Sequence, residues 1–376
     1  MENITKILMK CIRSEVFSDN ANIPDSLTEE EINSLYVLSK KHDLAHIVAS
    51  FLEKRGLIDN ATVGQQFAKQ KFLSVYRREQ LDFEEERVCK LFYDEQIEFI
   101  RLKGAVMKKL YPQIWMRTSS DVDILIKAQD RDKAVSLLVS KFGYILDSDA
   151  ERDCSLISKS GMNLELHFGI TSNDDKLDVI LKRVWDFAYR INEHEFALKD
   201  EFFIAYHIAH MQLHFTEGGC GVRPFIDLWL YKQNLEKCES EVISLLTESK
   251  SVDFYKGVKS LCEVWFGDKE HSELTELVEN FVISGGVYGT RENLGATGTH
   301  KNGSYFKYLL NRIFMPKNKL RLIYPKIDKY PILIPYYQIK RWFNLLDKDV
   351  RKSAKNELSG NKNSNLTDKM LDGLGL

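Results

Sequence analysis

Asp121 and Asp123 are separated by one residue and alternate with Val122, Ile124 and Ile126. Side chains two apart on a strand share a face, so both carboxylates point one way and the apolar residues point the other. Like charges that close repel unless a cation lies between them, and a divalent metal is the usual one. In the segment LELHFGI, Glu165 and His167 alternate with Leu164, Leu166 and Phe168, so a third carboxylate can project from a neighbouring strand toward the same place. Three carboxylates converging on two Mg²⁺ ions suit nucleotidyl transfer, in which one metal holds a triphosphate and the other activates a hydroxyl. Upstream, an apolar run ends in Lys103-Gly104 and leads into a helix-like segment. The glycine lies where backbone can approach a phosphate.

The elements that must position these groups form an alternating strand and helix pattern. Residues 96–102 read as a strand, 105–110 as a helix closed by Tyr111-Pro112, and 121–127 as the acid-bearing strand. A helix over 130–142 and strands at 144–147, 155–158 and 163–170 complete a small mixed sheet with helices on one side. Before it, Ile4, Ile7, Leu8, Cys11 and Ile12 fall at helical spacing, and Thr28 with Glu31 forms a capping box for a helix that runs on to Gly56. Residues 60–95 read as one long helix or two in series, with Glu85 and Glu86 beside Arg87 and Lys90 on a solvated face. The division expected is a helical region over 1–95, an α/β core over 96–175, a helical region over 176–346 and a polar, frayed tail over 347–376. Within the third, the glycine-rich stretch 284–303 reads as a long loop, a candidate flap over the site.

Composition bounds the function. A chain of 376 residues, 44% hydrophobic with a formal net charge of −2, is a globular protein of two or three domains. The charge argues against a general nucleic-acid binder. It leaves room for a local basic patch, because residues 301–341 carry ten Lys or Arg against the single acid Asp328. That stretch is a candidate contact for an anionic partner such as RNA, a phosphorylated metabolite or a lipid surface. Six scattered cysteines without a CxxC pair read as reduced thiols, which with no signal-peptide core and no membrane span points to a cytoplasmic protein.

Gly104, Asp121-Val122-Asp123 and Glu165 resemble the DNA polymerase beta-like superfamily of nucleotidyltransferases. More narrowly, LKGAVMKKLYP, Arg117-x-Ser-Ser-Asp-x-Asp, LELH, HIAHMQLHF, GVRPFID and SGGVYGT are similar to an uncharacterised bacterial nucleotidyltransferase family, across roughly residues 30 to 345. The resemblance implies a polymerase-beta-type α/β core between helical regions. It also implies metal-binding, catalytic roles for Asp121, Asp123 and Glu165, with Mg²⁺ or Mn²⁺ as cofactor and an NTP as substrate. The superfamily places Gly-Ser or Gly-Gly at the turn, whereas Gly104 here precedes Ala105, so Ser119 or Ser120 takes over the hydroxyl contact to phosphate. Lys103 and Arg117 are candidates to neutralise the triphosphate. His167, His210 and Arg223 complete the candidate binding set. His207, His210 and His214 share one helix face, where lining a cleft or filling the interior outweighs a zinc site. Arg223 and Asp227 are either an ion pair or substrate contacts. The reaction expected transfers a nucleoside monophosphate to a small-molecule, protein or RNA acceptor with release of pyrophosphate. The alternative is a nucleotide-binding, antitoxin-like or accessory protein that keeps the fold with little turnover.

Overall fold

In a computed structural model, the described residues are 2–19, 26–58, 62–172, 174–324, 326–343, 347–359 and 364–376. The chain divides into two compact units, one of residues 1–210 with 223–269 and one of 211–222 with 270–376. Among the described residues no helix is long and apolar enough to cross a membrane. All six cysteines are free, and only Cys238 is not fully buried.

The first unit opens with helices α1 (Glu2–Phe17), α2 (Glu29–Lys41), α3 (Ala45–Lys54) and α4 (Thr62–Asp94). The capping box forms as the sequence requires: Glu31 N–H donates to Thr28 Oγ1 at 3.2 Å and Thr28 N–H to Glu31 Oε2 at 2.9 Å. The helix expected to run on to Gly56 instead breaks at 42–44, where Asp43 adopts a left-handed φ of 55° and frees α3 to bury eight consecutive residues. α4 is a single helix. Of the two glutamates expected on a solvated face, Glu86 is exposed, but Glu85 is buried and bridges Arg101 and Lys108 at 2.9 and 2.8 Å; Glu84 is buried too, accepting from Tyr144 Oη at 2.8 Å.

Seven strands follow: β1 (Phe99–Arg101), β2 (Asp121–Ile126), β3 (Ile145–Asp149), β4 (Asp153–Ile157), β5 (Asn163–His167), β6 (Ala188–Arg190) and β7 (Glu195–Leu198). Their order is β3-β4-β5-β2-β1-β7-β6, with β2 parallel to β5 and antiparallel to β1. One face is the core: Val122, Ile124, Ile126, Leu164 and Leu166 pack with Leu81, Val88 and Phe92 of α4. The short helix α5 (Gly104–Met107) follows β1, and α6 (Arg131–Leu137) follows β2. The hairpin β6-β7 was not expected. The helical region expected from 176 onward is interrupted here: α7 (Asp175–Leu181) ends early, and Asn192 Oδ1 accepts from Glu195 N–H at 2.9 Å to close the turn that pairs the two strands. Helices α8 (Asp200–Thr216), α9 (Arg223–Leu230), α10 (Lys232–Glu248) and α11 (Val252–Phe266) follow. All but the end of α8 belong to this unit.

The second unit is helical, from α12 (Glu273–Gly285) through α13 (Arg291–Lys301), α14 (Tyr305–Ile313), α15 (Lys317–Ile323), α16 (Lys326–Lys329) and α17 (Ile334–Phe343) to α18 (Lys348–Ser359) and α19 (Ser364–Gly373). The stretch expected as a long loop is therefore mostly helix α13. Its glycines serve packing: a Cβ on Gly295 would stand 1.8 Å from the Glu357 carbonyl oxygen, and one on Gly298 2.4 Å from the Tyr308 ring. The segment read as a frayed tail supplies α18 and α19, which pack on α13 and bury Met370, Leu371 and Leu374.

Candidate active site

The parallel pairing of β2 with β5 sets Asp121 beside Asn163, Asp123 beside Glu165 and Leu125 beside His167. Because paired residues share a face, Asp121, Asp123, Glu165 and His167 stand together on the side of the sheet opposite the core. Asp123 is 6% exposed and accepts from His167 Nε2 at 2.9 Å and from Lys103 Nζ at 3.2 Å. His167 Nε2 is also 3.7 Å from Glu165 Oε2. Single donor atoms of Asp123, Glu165 and His167 lie within 4.8 Å of one another, a spacing one cation can span. Asp121 lies outside that trio, and its Oδ2 accepts from Ser120 Oγ at 3.1 Å.

The electrostatics are those of an under-neutralised anionic cluster. Burial, then the charge of Asp123, pushes the pKa of Asp121 up, and burial followed by Asp123 and Asp121 does the same to Glu165. Burial would raise Asp123 too, yet Lys103 and His167 more than offset it and hold that carboxyl far below the usual range. Burial disfavours the Lys103 ammonium, but Tyr206, Asp123 and Glu165 together raise its pKa well above normal. Two carboxylates and one imidazole within reach of one another, with one lysine against them, are a donor set that fits a hard divalent cation.

Beside the acids, Lys103 carries a φ of 37° and ψ of −106°, strained for a side chain other than glycine. Gly104 follows, buried, and a Cβ there would lie 2.9 Å from Ser119 Oγ and 3.5 Å from Arg117 Nη1. Ser119 therefore stands against the glycine turn.

The loop over 117–120 is held from behind. Arg117 donates to Asp227 from Nε at 3.0 Å and from Nη2 at 2.9 Å, and Tyr111 Oη donates to the same carboxylate at 2.8 Å. Asp227 is 1% exposed, so the pair is buried. Arg223 Nη1 donates to the Thr118 carbonyl and hydroxyl, both at 2.8 Å, and lies 3.4 Å from Asp43. His46 Nε2 donates to the Met116 carbonyl at 2.9 Å. Asp227 is thus the partner of Arg117 rather than of Arg223 one helical turn away. Both arginines shape the loop that carries Ser119 and Ser120.

A family model described as uncharacterised nucleotidyltransferase matches residues 28–267. The chain belongs to that family. No curated protein and no solved structure matches it. The matched span covers more than half of the chain and every site residue named above.

In this nucleotidyltransferase family member, sequence reasoning missed Tyr206. Its buried phenol faces Lys103, and burial followed by the carboxylates nearby pushes its pKa up to about 12. Tyr206 and His210 are four apart on α8, and their rings pack edge to face at 6.3 Å. His207 is turned elsewhere, donating from Nε2 to the Pro224 carbonyl at 2.9 Å, and His214 belongs to the second unit. Among the described residues, the compact ligand group is Asp123, Glu165 and His167, and the histidine row of α8 forms none.

Proposed function

We propose that the site transfers a nucleoside monophosphate from an NTP to a hydroxyl or phosphate acceptor. The acceptor oxygen bonds to the α-phosphorus, the bond from that phosphorus to the bridging oxygen breaks, and pyrophosphate leaves with the electron pair. Asp121, Asp123 and Glu165, with His167 at their edge, would hold Mg²⁺ or Mn²⁺. Such ions supply charge neutralisation for the triphosphate and a lowered pKa for the attacking hydroxyl.

The chain's own groups do the rest. Glu165, paired with Asp123 across β2 and β5, takes the proton of an acceptor hydroxyl. Lys103, once released from Asp123, answers the charge developing on the leaving pyrophosphate. The backbone of Gly104 and the hydroxyls of Ser119 and Ser120 seat the phosphates, and the Arg117–Asp227 pair keeps that loop in place. His210 closes the site through Tyr206, and Arg223 acts through the loop.

The observation that carries this reading is the register of β2 on β5, which pairs Asp123 with Glu165 on the face that bears Asp121 and His167. Incubation with α-labelled NTPs, Mg²⁺ and cell extract tests it. Label transfer that Asp123→Asn abolishes is the expected result. Tight NTP binding without transfer to any acceptor would make the protein an accessory binder instead.

A further inference from the structure

In the helical second unit an open cavity of about 770 Å³ lies between α13, α14, α17 and α18. Its volume is that of a small-molecule site rather than of a packing defect. Leu309, Ile313, Val350, Ala354 and Leu358 supply apolar wall, and Trp342 adds an aromatic surface. Arg291, Arg312 and Arg341 also line it.

The charges there do not balance. Arg312 is answered by Glu357, which is 3% exposed, 2.6 Å from its Nη2 and also bonded by Tyr308 Oη. Arg341 donates to the carbonyls of Arg312 and Ile313 at 2.7 and 2.6 Å, and among the described residues no carboxylate pairs with it. Arg291 has no ion-pair partner among the described residues either. It occupies the first position of α13, where the helix dipole disfavours a cation unless an anion is bound beside it. Among the described residues, then, two guanidinium groups without a carboxylate partner line a largely apolar space, Arg341 held by carbonyls and Arg291 exposed.

We infer that this cavity binds an amphiphilic organic anion, a phosphate or carboxylate head on an aliphatic body, with Arg291 and Arg341 on the head and Leu309, Ile313 and Val350 around the chain. Bidentate donation from arginine suits both headgroups. An RNA strand fits the lining less well, because stacking of successive bases requires a row of aromatic faces and, among the described residues, Trp342 alone lines the cavity with one. The inference does not rest on the nucleotide site.

Calorimetric titration of the full chain with octyl phosphate, octanoate and neutral octyl glucoside, each below its micellar concentration, tests it. One of the anions binds one to one, at least about tenfold more tightly than the glucoside, the size of one charge-assisted hydrogen bond. Preference for octyl phosphate assigns a phosphate head and preference for octanoate a carboxylate, and either supports the site. Arg291→Gln, a change at an exposed residue, weakens the anion by about tenfold and leaves the glucoside unaffected. Ala354→Trp fills the space and removes binding of both while the thermal melt is retained. Equal affinity for anion and glucoside overturns the inference, as does anion binding indifferent to Arg291→Gln. So does an RNA oligonucleotide that binds in an Arg291-dependent way where octyl phosphate does not.

Discussion

Lys103 sets a positive charge against the acids of the sheet. Its ammonium lies 3.2 Å from an Asp123 oxygen, on a strained backbone that aims it at the acids. Replacing it with methionine leaves the carboxylates opposed only by His167. The melting temperature without metal then falls, with a loss of about 1–3 kcal/mol. In the same variant Mn²⁺ binds more tightly and NTP less tightly, read by electron paramagnetic resonance and nucleotide titration; weaker Mn²⁺ binding would show the lysine supporting the metal rather than competing with it. Gly104 sets a second test at this scale. In Gly104→Ala the new methyl group presses on Ser119 Oγ, the end of a short rotatable side chain. The fold loses only about 1 kcal/mol while NTP affinity drops further. Gly104→Ala combined with Ser119→Ala recovers the stability but not the NTP affinity. Recovery of both, read by thermal melt and NTP titration, would remove Ser119 and the turn from the proposed phosphate contacts.

At the scale of elements, the buried pair of Arg117 with Asp227 joins the loop before β2 to the first turns of α9, residues 110 apart in sequence. Asp227→Asn leaves a buried guanidinium without a counter-charge and costs about 3–5 kcal/mol, measured as a shift of the urea midpoint at unchanged slope. The double change Arg117→Met with Asp227→Leu recovers most of that loss, because neither buried charge remains. Local signals were legible in the sequence at this scale. The capping box at Thr28, the alternation through 121–126 and the acids of the site all follow from short-range pattern. What escaped depends on contacts made far along the chain. Glycines at 295 and 298 read as loop residues because nothing nearby in sequence reveals the α18 backbone and the Tyr308 ring that require them. Glu85 read as solvated because its partners, Arg101 and Lys108, come from later elements. Tyr206 escaped because a phenol in an apolar helix looks like core until Lys103 is set beside it.

Over the whole molecule, two histidines with depressed pKa values contribute to the response to acid. Burial pushes the pKa of His46 and of His207 below the ordinary value near 6.5, while each donates to a backbone carbonyl. The unfolded chain therefore binds protons below about pH 6.5 that the folded chain does not. Their contribution to stability is complete above that pH and is lost as pH falls toward their depressed folded values. Asp121 and Glu165, with raised pKa values, act in the opposite sense, since protonation relieves their repulsion. In an Asp121→Asn, Glu165→Gln background the melting temperature declines from pH 7 to 5, and His46→Gln flattens the decline; a flat profile before that change would contradict the assignment. The chain also weaves between its units. Residues 211–222 belong with 270–376, where Phe215 stacks on Phe281 and a Cβ on Gly289 would lie 2.2 Å from the Gly218 carbonyl oxygen. A protein ending at residue 269 leaves that segment uncovered. It is expected to bind a hydrophobic dye and to melt without cooperativity, and a monodisperse species with a sharp transition would refute this.

The sequence distance across the Arg117–Asp227 pair also orders events on the ribosome. The acids of β2 and β5 can meet once residue 167 has emerged, yet the guanidinium behind them waits some sixty residues longer for its carboxylate. During that interval the nascent chain holds a ligand set without its brace. Release of the Arg117–Asp227 region from the exit tunnel, rather than pairing of the strands, is then the step that commits the site.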